Sequence, residues 1–264
     1  MRSCKPLALF GLLTAALTLV ATVLRSVALI TSFDAAVGYF DASIFSTLLY
    51  IVIALAVVSA FGYALYAQAR SKKEQSPLPT PDVTHRTVAA RIAGAAVVLV
   101  LLALSALELP AILIGQRSIL SVLRLVAPIC AIPYFVLTPS RRTGWFGVFT
   151  HVVCILCLVT EYFDRYVVSN SPLKLSHQIA FVMAMLYLLT ELFDLVGQPQ
   201  PIRVRYLAPL AFFFTVTNGV SLIVAVAVRE PILSIEYLLR AMFLLTLGLY
   251  IAARTVPFFK KEEY

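Results

Sequence analysis

Six ionisable residues stand out in a chain otherwise poor in charge: Arg25, Glu108, Arg124, Glu161, Glu236 and Arg240. Each lies at, or a few residues inside, one end of a long apolar run. An ionisable side chain in such a setting is expensive unless it faces a partner or a wet cavity. Three are acidic and three basic, so two readings are open. The set could line a polar pocket for a small solute or ion, or it could form interhelical ion pairs. Arg25, Glu108, Arg124, Glu161 and Arg240 are the pocket candidates, with Asn218 deeper in its own run. A mid-span Asn otherwise serves as an interhelical hydrogen-bonding group. Glu236 and Arg240 are four apart and can pair along one helix face.

A second constellation combines His, Cys and Glu. At 100° per residue, His151, Cys154, Cys157, Glu161 and Arg165 share an arc of about 120° on one helix. The next run carries His177 and Glu191 in the opposite order. Antiparallel packing would set His151 near the depth of Glu191, and His177 near that of Glu161. Each pair could relay protons, since His titrates near neutral pH. Each could equally be a structural hydrogen bond between helices. The His-x-x-Cys-x-x-Cys stripe offers N and S ligands, but one straight helix cannot aim three of them at a single ion. Structural zinc sites draw four ligands from separate elements, so no metal is expected.

The elements that position these groups are eight long apolar runs, roughly 7–30, 44–68, 92–109, 118–138, 145–163, 175–196, 206–228 and 237–257. An apolar stretch of about 18 residues or more can cross a bilayer as one helix. Hydrophobic residues make up 61% of the 264 residues and charged residues 13%, about half the charged share of a soluble domain. The sequence predicts an all-α, polytopic helix bundle in a single transmembrane domain, 1–264, whose first partner is the lipid bilayer. The net charge of +8 does not signal nucleic acid here, because Lys and Arg set membrane orientation. With both termini cytoplasmic, fourteen of the 21 basic residues fall in inner segments: Arg2, Lys5, Arg70, Lys72, Lys73, Arg86, Arg91, Arg141, Arg142, Arg203, Arg205, Arg254, Lys260 and Lys261. Arg25, Arg117, Arg124, Arg165, Lys174, Arg229 and Arg240 fall outside.

The longest break, 70–91, holds Ser76-Pro77-Leu78-Pro79-Thr80-Pro81 and reads as a cytoplasmic linker. Trp145, Tyr237, Tyr39 and Tyr162 sit near span ends, as interfacial anchors do. Asp41, Glu108 and Arg124 are echoed by Asp164, Glu230 and Arg240 at similar spacing, the mark of a weak four-plus-four repeat. Of the four cysteines, three lie inside apolar runs, so no disulfide framework is expected.

Leu24-Arg25, Asp34-x-x-x-Gly38-Tyr39-Phe40, Thr160-Glu161-Tyr162-Phe163-Asp164, Asn170-Ser171-Pro172-Leu173-Lys174 and Thr190-Glu191 resemble segments of uncharacterised multi-spanning membrane proteins of Gram-positive anaerobic bacteria. The resemblance implies a bacterial plasma-membrane protein and supplies no activity. The paired-glutamate and histidine motifs of the CPBP-type intramembrane proteases do not fit, because Thr160 replaces one glutamate and the motif order is wrong. No phosphate-cradling loop or nucleophile elbow is present, and no cofactor is implied. A non-enzymatic protein that binds or moves a small solute or ion leads. A sensor or assembly partner acting through the cytoplasmic loops, with partner proteins unidentified, is the alternative. An embedded enzyme comes third.

Overall fold

The computed structural model describes residues 5–34, 39–40, 43–74, 78, 86–115, 118–163, 171–228 and 235–261. Eight helices account for almost all of them: α1 (Lys5–Thr31), α2 (Ile44–Glu74), α3 (Val88–Leu113), α4 (Ile119–Val136), α5 (Arg141–Phe163), α6 (Pro172–Leu195), α7 (Pro201–Val228) and α8 (Ile235–Lys261). All eight are long and apolar enough to cross a membrane. A short antiparallel pairing, Phe33 with Phe40 and Asp34 with Tyr39, follows α1. Several predicted features lie outside the described residues: Asp41, Arg117, Asp164, Arg165, Arg229, Glu230 and most of the Pro-rich linker.

Local chemistry sets the helix ends. Thr87 and Ser118 cap α3 and α4 by accepting from the Ala90 and Ser121 backbone N–H groups at 3.2 and 3.0 Å. Ser171 does the same for α6, with Pro172 in the first turn. Gly197 ends α6 at φ +84°, a conformation that costs any residue with a Cβ.

Alternating helices give the bundle two ends. The near end carries the start of α1 and the end of α8; the far end carries the end of α1 and the start of α8. Helices α3, α4, α5, α6, α7 and α8 pack in a closed ring, each against the next and α8 back against α3. Helices α1 and α2 pack on each other and on α7, outside the ring. Helices α3 and α7, equivalent in a four-plus-four repeat, therefore have different neighbours.

The α7–α8 contact is close because glycine permits it. A Cβ on Gly219 would stand 2.8 Å from both the Ala241 carbonyl oxygen and the Leu245 nitrogen. One on Gly248 would stand 2.5 Å from Thr215 Oγ1. Small residues at helix crossings are how membrane bundles gain packing energy, since lipid removes the hydrophobic drive between helices. The outward faces remain apolar, as at Leu12, Leu19, Leu55, Val58 and Leu99, which suits contact with acyl chains.

Candidate functional site

Two polar clusters occupy the ring interior, one at each end, and a third adjoins the far end. At the far end, Arg124 Nη1 donates to Glu108 Oε1 at 3.2 Å. Its Nη2 donates to Thr160 Oγ1, whose own hydroxyl donates to the Leu156 carbonyl at 2.7 Å. Glu236 Oε1 lies 3.9 Å from Arg124 Nη1 and also accepts from Arg240 Nη2. One carboxylate thus bridges two guanidinium groups from α4 and α8.

These groups border a crevice of about 390 Å³, measured out to its open mouth, with about 40 Å³ of free space for water-sized groups. That space suits about three water molecules or one small ion. Leu104, Leu107, Pro128, Val153, Leu156 and Cys157 complete its walls. Val153 lies ten residues before the end of α5, so the floor is about 15 Å deep at 1.5 Å per residue, about half the hydrocarbon thickness. Pro128 has no N–H for the Arg124 carbonyl four residues back, which frees a backbone acceptor beside the site. Glu236, with 37% of its side chain exposed, marks the mouth, while Arg240 is 3% exposed at the wall.

Next to the crevice, Glu161 and His177 are fully buried and joined by a 2.8 Å Nδ1–Oε1 hydrogen bond. Glu161 Oε2 and His177 Nε2 have no hydrogen-bond partner. Arg25 of α1 donates to Ser176 Oγ, one residue before His177. Lys174 is also fully buried.

At the near end, Glu191 accepts from four groups. Tyr134 Oη stands at 2.7 Å, Arg254 Nε at 2.8 Å, Tyr187 Oη at 3.1 Å and Tyr250 Oη at 3.4 Å. The cluster ties α4, α6 and α8 together across the ring. Arg86, just before α3, donates to the Tyr134 and Phe135 carbonyls and places its guanidinium 5.9 Å from the centre of the Tyr134 ring. Glu191 lies fourteen residues beyond His177 on α6, about 21 Å along the axis. Apolar side chains fill the interval, including the Phe181–Phe243 pair with centroids 6.3 Å apart.

Of the predicted pocket residues, Glu108, Arg124 and Arg240 line the crevice. Arg25 and Glu161 belong to the adjoining buried cluster instead, and it is Thr160 that faces Arg124. Asn218 is not on the crevice wall: it is buried and donates to the Phe214 carbonyl of its own helix at 2.8 Å. The predicted His151–Glu191 pair does not form. His151 meets the Gly147 and Met185 carbonyls at 2.9 and 3.1 Å, because Arg254 and the three tyrosines satisfy Glu191. Cys154 is buried and is not on the crevice wall, and no group of His, Cys, Asp or Glu among the described residues is arranged to hold a metal.

Two flank residues behave differently from topology anchors. Arg205 is fully buried and donates to the Pro201 carbonyl at 2.8 Å, and Arg254 is drawn inward by Glu191. Tyr237, placed at the interface by sequence, is buried 5.3 Å under the Arg240 guanidinium, whereas Trp145 and Tyr162 are exposed. Sequence reasoning missed the role of Tyr134, Tyr187, Tyr250 and Arg254. A signal existed: Tyr187 and Glu191, like Tyr250 and Arg254, are four apart and share a helix face. No protein-family model, curated protein or solved structure matches this chain.

Proposed function

We propose that this multi-pass membrane protein binds or moves a small solute or ion through the far-end crevice. The carrying observation is the asymmetry of the ring interior. Its far end is an open crevice edged by Glu108, Arg124, Glu236 and Arg240, and the buried side chains of the Glu191 network lie across its near end. A site open on one side and sealed on the other is the arrangement from which alternating access departs. The excess of Arg and Lys toward the near end supports a cytoplasmic near end, with the far end outside. The sequence resemblance supports a bacterial plasma membrane.

Reconstitution into vesicles tests this reading. A panel of small anions, cations and neutral solutes is offered, and uptake is compared with protein-free vesicles. At least one class should enter faster, and R124Q should abolish the gain. Uptake that matches protein-free vesicles for every class would contradict movement through the crevice.

A second reading, a sensor or assembly partner, draws support from Arg86. It lies in the 70–91 segment just before α3 and grips the α4 backbone at the residue whose phenol binds Glu191. A linker-binding partner would therefore act directly on the near-end closure. Release of a pulled-down partner by R86A would favour this reading.

A further inference from the structure

On the crevice reading, the side chains that edge the site select its class of solute. The hydrogen-bond inventory is lopsided. Arg240 Nη1 and Arg124 Nε are buried at the crevice and have no partner. Among the described residues no buried side-chain oxygen on the crevice wall lacks a hydrogen bond: those that do belong to Thr150, Glu161, Asp194, Thr217 and Asn218, none of which lines it. Among its buried side-chain atoms the site therefore has donors in excess. Buried donors without partners are rare in native structures and point to a missing group. The walls between the charges are apolar, and a low dielectric strengthens the pull of a guanidinium on an anion. A guanidinium also presents a fork that fits a carboxylate.

Glu236 supplies the second observation. Its Oε1 accepts from Arg240 and stands 3.9 Å from Arg124, in the position a bound anion would take. Yet it is the most exposed of the four charges, at the second residue of α8. Rotation of its side chain toward the mouth would leave both arginines facing the 40 Å³ space. We propose that the crevice binds one small monovalent anion, a carboxylate or a halide, between Arg124 and Arg240, and that Glu236 is the tethered carboxylate that fills this position when the anion is absent.

Isothermal titration calorimetry on the full-length protein in neutral detergent tests both halves. Acetate and bromide are titrated at constant ionic strength against gluconate. Sodium, glycerol and short-chain phosphatidylglycerol are run separately. Acetate or bromide should bind, and E236Q should tighten that binding about ten-fold by removing an internal competitor. R240Q should abolish it. If R240Q does not fold, E236Q at the exposed mouth still decides. Anion affinity unchanged in E236Q would overturn the role of Glu236. Binding of sodium or glycerol in place of the anions would overturn the anion assignment and leave the crevice standing as a solute site. Binding of the phosphatidylglycerol alone would make the ligand a lipid headgroup and also overturn it. No binding of any probe by either protein would remove the crevice reading as well.

Discussion

Replacing Glu191 with Ala should be among the most damaging single changes in the molecule. The side chains of Glu191 and Arg254 are 5% and 6% exposed, with Nε and Oε1 2.8 Å apart. Removing one partner of a buried ion pair costs about 3–5 kcal/mol, because the other charge keeps its desolvation penalty. Each phenol that loses its acceptor adds about 0.6 kcal/mol, the average for interhelical hydrogen bonds in membrane proteins. With three phenols, E191A should therefore cost about 5–7 kcal/mol. Detergent-induced unfolding in mixed micelles, followed by circular dichroism, measures it. The double variant E191L/R254L should cost less than the sum of its two singles by about 2 kcal/mol, since it leaves no lone charge. Among the phenols the order should be Y134F, then Y187F, then Y250F, following distances of 2.7, 3.1 and 3.4 Å. A cost for E191A under about 1 kcal/mol, or an additive cycle, would show that the network does not hold the near end together.

Further expectations follow from the packing and the second buried pair. G219A should destabilise by about 1–3 kcal/mol, because its Cβ meets α8 backbone atoms. G62A, in α2 with nothing within 4 Å, should be neutral or stabilising by up to about 1 kcal/mol; the same unfolding assay reads both, and equal effects would refute the close α7–α8 approach. H177L should cost about 3–5 kcal/mol by stranding Glu161, whereas E161L/H177L should recover part of that loss. H151Q, which disturbs only contacts to backbone carbonyls, should cost about 1 kcal/mol or less. A larger loss from H151Q than from H177L would reverse the ranking of the two histidines.

Helix number and type were legible because apolar length is a one-dimensional property. The antiparallel arrangement of α5 and α6 was legible too, and with it the approach of His177 to Glu161 by depth alone. Lateral placement was not. Periodicity is weak in helices that face lipid on one side and protein on the other, so nothing in the chain said that α4, α6 and α8 converge on Glu191 while α5 stands aside. Glu161 read as a pocket residue because it is charged and near a span end. Its rotation about α5 turns it toward α6, and Thr160 faces Arg124 in its place. Flank position misled at Arg205, Arg254 and Tyr237, since sequence distance from a span end does not separate a residue that snorkels outward from one drawn inward by a buried partner.

Cys157 provides the most direct test of an open far end. It lies on the crevice wall, six residues before the end of α5, about 9 Å inside it. With Cys4, Cys130 and Cys154 replaced by Ala, Cys157 is the sole thiol. Silver ions, thiol-reactive and small enough for the free space beside it, are then added to one side or the other of oriented vesicles. Cys157 should react from the far side alone, and E236W should slow the reaction by narrowing the mouth. Failure to react from the far side, or reaction from the near side past the Glu191 network, would contradict a crevice open at one end and sealed at the other.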